Sequence, residues 1–114
     1  MTEQLPLEID VTEAARILAD GTSGRVLLLD CRTPEEHAIA RIEGALLLPM
    51  GEITERVGEI EEWRDAMVIV HCHHGIRSLR VATWLRGRGF GHATSMRGGI
   101  DAWSASIDPA IPVY

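Results

Sequence analysis

Apolar positions in this chain follow two spacings. Arg25 to Asp30 is a short run, apolar at Val26 to Leu29, that closes on a carboxylate, and Met67 to Val70 is a second, leading into Cys72. Short runs without polar alternation are the pattern of parallel strands covered on both faces. Elsewhere the spacing is helical. Asp10 and Glu13 introduce Ala14, Ala15, Ile17 and Leu18, and this helix should end at Asp20 and Gly21. A longer one over Arg77 to Arg86 places Leu79, Val81, Ala82 and Leu85 on one stripe, with Gly87 and Gly89 to stop it.

The remaining elements are shorter. Pro34 to Ala40 reads as a helix with proline in its first turn, Ala45 to Leu48 as a third strand, and Pro49 to Glu62 as helical pieces interrupted at Gly58. His92 to Met96 is expected as an edge strand. Gly98 and Gly99 open a last helix, Ile100 to Ser106, and the proline-bearing segment Asp108 to Tyr114 should lie extended. Trp63, Trp84 and Trp103 fall in apolar patterns as core or cover, and Glu59 to Glu62 as a solvated face. Strands alternating with helices define a three-layer α/β domain with a mostly parallel sheet, and such sheets bind ligands at the carboxyl ends of their strands.

Composition narrows this picture. A chain of 114 residues, 46% hydrophobic and 25% charged, is sized for a single domain spanning 1–114. A formal charge of −6 argues against nucleic acid or an anionic membrane as partner, because both demand a basic footprint. Every basic side chain other than histidine is arginine, so lysine Schiff-base chemistry is excluded. No basic start with a long apolar run marks a signal peptide, and no segment approaches the ~20 apolar residues of a membrane helix. The expectation is a cytoplasmic protein whose two cysteines, Cys31 and Cys72, stay reduced.

One stretch carries chemistry. In Val68 to Ser78 an apolar strand ends at Cys72, a loop through His73, His74 and Gly75 follows, and Ile76, Arg77 and Ser78 begin a helix. If the amides from His73 to Arg77 turn inward, they form a nest of donors reinforced by the positive end of the helix dipole. A thiol there is held as a nucleophilic thiolate. Gly75 allows the tight turn, Arg77 supplies a positive rim, and Ser78 either supports the loop or caps the helix. His71, His73 and His74 lie too close together in sequence to wrap a tetrahedral ion, so no metal is assigned; His73 and His74 are expected to turn their imidazoles outward. No cofactor is called for.

The chain resembles the rhodanese family along nearly its whole length. The resemblance rests on Asp30-Cys31-Arg32 with Pro34 and Glu36, Glu43-Gly44-Ala45 before Leu48-Pro49, the loop Cys72 to Ser78, and Gly98-Gly99-Ile100-Asp101-Ala102-Trp103. It departs at Arg41, where the family usually has histidine. The resemblance implies the rhodanese fold, a five-stranded sheet with helices on both faces, and a double displacement. Cys72 takes sulfane sulfur from an anionic donor such as thiosulfate, then passes it as a persulfide to cyanide, a thiol or a sulfur-carrier protein.

Related domains serve ubiquitin-like sulfur carriers through similar Cys-His-His-Gly loops, which makes a relay or protein-binding module the alternative. Phosphatases and arsenate reductases of the same fold are a third reading. Only four residues separate Cys72 from Arg77, however, where the related cell-cycle phosphatases have five. The resemblance also implies supporting roles for Asp30, bracing the active loop, and for Arg32, paired with Glu36. Cys31 is by type a small buried residue, yet those phosphatases carry a second cysteine at this place, which makes a protective Cys31–Cys72 disulfide an expectation.

Overall fold

The computed structural model describes residues 6–20 and 25–114, so the Gly21 end of the first helix lies outside the described residues. The elements in chain order are β1 (Glu8–Ile9), α1 (Val11–Ala19), β2 (Val26–Asp30), α2 (Pro34–Ile39), β3 (Leu46–Leu47), α3 (Ile53–Arg56), β4 (Met67–His71), α4 (Ile76–Gly87), β5 (Ala93–Met96) and α5 (Gly99–Ser106). The five strands form one sheet in the order β1-β5-β4-β2-β3, with every pairing parallel.

The two apolar runs become the paired central strands. β2 and β4 run in register from Val26 opposite Met67 to Asp30 opposite His71. Their alternate residues separate the core into two layers. Leu27, Leu29, Val68 and Val70 pack with Ile53, Val81 and Leu85 under α3 and α4. Leu28 and Ile69 face the other way, with Ala14 and Ile17 of α1 and Ile100 and Trp103 of α5. Burying a side chain of this size contributes about 1.5–3 kcal/mol, and each strand does so on both faces.

Local chemistry sets the helix starts. Asp10 caps α1 through the Glu13 amide, and Thr33 with Glu36 forms a capping box ahead of Pro34 in α2. The segment from Pro49 to Glu62 is broken as expected, into a 3₁₀ turn Met50–Glu52, α3, and 3₁₀ turns over Val57–Trp63. Its non-helical point is Ile60 rather than Gly58: that side chain drops into the core while Glu59, Glu61 and Glu62 remain in solvent. Trp103 is buried, and Trp63 and Trp84 pack half-buried against the core.

Two strand expectations need correction. The strand over 93–96 is not an edge; it lies between β4 and β1, and all four of its residues are buried. The edge is β1, a two-residue strand too short to show an apolar pattern, held by Ser95 N–H to Leu7 O and Arg97 N–H to Ile9 O. Among the described residues, no helix is long and apolar enough to cross a membrane.

Candidate active site

Cys72 follows the last residue of β4, at the carboxyl end of a central strand. The chain there cannot continue in the sheet, because α5 takes its carbonyls. Ile100 N–H donates to Cys72 O (2.9 Å) and Asp101 N–H to His73 O (3.2 Å), satisfying amides of a helix start with the active loop itself. Gly99 makes this approach possible: a Cβ there would collide with the Cys72 and His73 carbonyls. Gly75, at φ +104°, then reverses the chain into α4.

The reversal aims donors at the sulfur. Gly75 N–H reaches Sγ at 3.0 Å and Ser78 N–H at 3.4 Å. The second comes from the first turn of α4, one residue beyond the expected span of His73 to Arg77. Ser78 Oγ stands 3.5 Å from Sγ and 2.7 Å from Ser95 Oγ of β5. With a thiolate at Cys72, both hydroxyls orient as donors toward it, Ser95 to Ser78 and Ser78 to sulfur.

These contacts define the charge state. The Cys72 thiol is pulled down to about 4, first by a hydrogen bond from Cys31, against the opposing effect of burial, and then by the Ser78 hydroxyl and the amides of Ser78 and Gly75. Cys31 is pushed up far beyond the ordinary thiol range by its bond to Cys72 and by burial. Both cysteines are free thiols.

The surrounding residues are arranged differently from their expected roles. Arg32 is fully buried and pairs not with the Glu36 carboxylate but with Asp30, through Nε to Oδ1 (2.9 Å) and Nη2 to Oδ2 (2.7 Å); it meets Glu36 only at the backbone carbonyl. Asp30 braces Arg32 and the His37 ring (3.1 Å), and reaches toward the active loop only through His71, 4.0 Å away. Glu36 instead receives Arg77 in a two-pronged pair (2.7 and 3.0 Å) and the Tyr114 hydroxyl (2.8 Å). The positive charge of Arg77 is thus compensated at the rim. These contacts hold the Glu36 carboxyl well below the usual range, the Arg77 bond foremost, against burial.

His73 does not turn outward. Its ring is stacked between His74 and Tyr114, with centroids 3.9 Å away on each side, and its Nε2 is buried without a partner. Cys72 itself is only 1% exposed. His73, His74 and Asp101 offer ligand atoms within 4.8 Å of one another. The stacked His rings run their in-plane lone pairs side by side, so this arrangement does not converge on an ion.

Sequence reasoning overlooked Ser95, Tyr114 and the Glu36–Arg77 pair. A serine inside an otherwise apolar buried strand was the available signal for the first; nothing local announced the other two.

A parallel α/β sheet that holds a buried cysteine at a strand end, with the amides of a tight loop and a helix start on its sulfur, defines a class of cysteine-loop domains. Residues 10–106 match the model of the rhodanese-like domain, and the chain belongs to that family. It is 42% identical over 97 residues to a sulfurtransferase of Allochromatium vinosum, covering 85% of this chain and 87% of the relative. It is 34% identical to a probable adenylyltransferase/sulfurtransferase MoeZ of Mycobacterium tuberculosis, spanning 81% of this chain but only 24% of that protein. Among solved structures, a rhodanese-like domain protein from Staphylococcus aureus superposes with a TM-score of 0.75 at 28% identity, covering 94% of this chain and 97% of its own.

Proposed function

We propose that this chain is a sulfurtransferase that moves sulfane sulfur from thiosulfate or a persulfide donor to a thiophilic acceptor through a Cys72 persulfide. The observation that carries the reading is the buried Cys72 sulfur accepting from the Gly75 and Ser78 amides, which help hold its thiol far below the ordinary range. In the first half, the Cys72 thiolate attacks the outer sulfur of thiosulfate; the S–S bond of the donor breaks, sulfite leaves with the electron pair, and Cys72-S-S⁻ remains. The loop amides from His73 to Arg77 would receive the new outer sulfur, and no proton transfer is needed. In the second half, cyanide or a thiolate attacks that outer sulfur, and Cys72 departs as the thiolate from which it started. Since Cys72 is buried at rest, donor entry requires the His73–Tyr114 rim to move.

Thiosulfate and cyanide together should yield thiocyanate and sulfite in equal amounts, and Cys72→Ser should reduce the rate to background. Turnover that survives Cys72→Ser would refute the reading.

A second reading makes the acceptor a sulfur-carrier protein. It is favoured by the likeness to proteins named adenylyltransferase and sulfurtransferase, and by Ile76, an apolar residue 71% exposed at the start of α4 where the active loop ends. Sulfur passed faster to a carrier C-terminal acyl adenylate than to cyanide would favour it; the reverse order would leave small molecules as the acceptor. A phosphatase or arsenate reductase reading would require Cys72-dependent hydrolysis of an aryl phosphate or reduction of arsenate.

A further inference from the structure

Another thiol, Cys31, lies in the same buried layer as the reacting sulfur. β2 and β4 pair Leu27 with Val68 and Leu29 with Val70, and these alternate residues share the core layer under α3 and α4. The next step of that series is Cys31 against Cys72, members of the same buried layer, joined across the strands by the Cys31 N–H to His71 O bond (3.1 Å). Neighbouring strands lie about 4.8 Å apart, so side chains at matched positions on one face stand near enough for one sulfur to reach the other. Loop donors approach Cys72 from the α4 side; Cys31 approaches it from β2.

We propose that Cys31 is the hydrogen-bond donor that keeps the Cys72 sulfur anionic in the resting protein and stabilises it again when it departs from the persulfide. This deepens the sulfurtransferase reading and rests on it for the second clause only. The two sulfurs cannot both be ionised at this distance, and their surroundings decide which one is. Cys72 faces the Gly75 and Ser78 amides, the Ser78 hydroxyl and the start of α4. Among the described residues no amide donates to the Cys31 sulfur, and the neighbouring Asp30 carboxylate raises its pKa further. The proton therefore remains on Cys31, directed at Cys72. The other charged or titratable groups acting on the pair are Arg77, whose charge is bound by Glu36, and His71, which burial keeps neutral.

The same geometry predicts how the contribution changes through the cycle. In Cys72-S-S⁻ the charge resides on the outer sulfur, among the loop amides, and the bond from Cys31 to Sγ weakens. When the acceptor takes the outer sulfur, charge returns to Sγ, where Cys31 meets it. A leaving thiolate of lower pKa departs faster, so this donor should aid the acceptor half-reaction most.

The test is a titration of Cys72 by thiolate absorbance and by its rate of alkylation with iodoacetamide, in wild type, Cys31→Val, Cys31→Ala and Cys31→Ser. A hydrogen bond to a charged group corresponds to an upward shift of about one to two pH units when lost. That shift is expected in the Val and Ala variants, and Cys31→Ser, which retains a donor, should stay close to wild type. Thermal melts establish which variants fold, and Ala serves if Val overpacks. Apolar variants that titrate as wild type does would overturn the proposal, as would a Ser variant shifted as far as Val. Neither readout needs a sulfur donor, so failure of sulfur transfer and failure of the Cys31 bond are separately visible. With sulfur transfer intact, release of sulfur from the loaded protein to cyanide should slow about tenfold or more in Cys31→Val, following the shift.

Discussion

Cys72 combines two properties that normally oppose each other: nearly complete burial and a negative charge. Burial alone raises a thiol pKa, and here it is outweighed by donors converging on one atom. Alkylation of Cys72 should therefore keep its full rate down to about pH 5 and fall through a midpoint near 4, read by mass at that residue; a midpoint near the ordinary ~8.5 would show that the donors do not act. The neighbouring thiol adds a redox outcome. Peroxide should convert the Cys72 thiolate to a sulfenic acid, and attack by the Cys31 sulfur should then expel water and leave a disulfide. Intact mass after mild peroxide should show loss of a hydrogen pair that is absent in Cys31→Ser.

Among the secondary-structure elements, the carboxyl end of β4, the N-terminus of α4 and the N-terminus of α5 meet at the active loop, and each glycine there serves one junction. Gly99→Ala should be among the most damaging small substitutions, because the new Cβ meets the backbone of the loop and not a side chain that can swing away. Its expected signature is a melting temperature lowered by several degrees together with loss of the low Cys72 titration. The fold was largely readable at this scale. Val26–Leu29 and Met67–Val70 are apolar without interruption, as two-sided burial requires, and Asp10, Thr33 and the glycine pairs mark helix limits chemically. What escaped was the order of strands: whether the strand over 93–96 lies inside the sheet depends on β1, whose two residues form a strand only because β5 offers an open edge. The site divides the same way. Cys72 and its loop are contiguous and legible, whereas the Glu36–Arg77–Tyr114 latch joins residues from three distant places, and nothing in the spacing indicates that Arg32 prefers Asp30.

Across the whole molecule, the buried Asp30–Arg32 pair links β2 to the α2 segment and to Tyr114. Arg32→Met would strand the Asp30 carboxylate, and should cost about 3–5 kcal/mol of stability by denaturant unfolding. Acid should destabilise the fold in two stages. His71 is buried with its pKa held below the ordinary value, chiefly by desolvation, so below about pH 6.5 the unfolded chain takes up a proton that the folded chain refuses, and stability falls. Glu36 and Asp30 have folded pKa values below their unfolded ones, so their contribution is complete above about pH 4.3 and is lost as pH drops further. The Cys72 thiolate adds a fall that starts below the ordinary thiol value of ~8.5 and ends near 4, so in a Cys72→Ser background melting curves against pH should show both stages with His71 present and only the lower in His71→Phe. The rim gives a separate readout: Tyr114→Ala removes the stack on His73 and the bond to Glu36, and should speed alkylation of Cys72 several-fold while leaving its titration midpoint in place.

The account depends above all on Cys72 carrying the transferred sulfur. Intact-protein mass after incubation with thiosulfate tests this directly. One added sulfur atom that maps to Cys72, disappears on addition of cyanide and is absent in Cys72→Ser is the expected result. An unmodified protein, or an added sulfur that persists in Cys72→Ser, would contradict it.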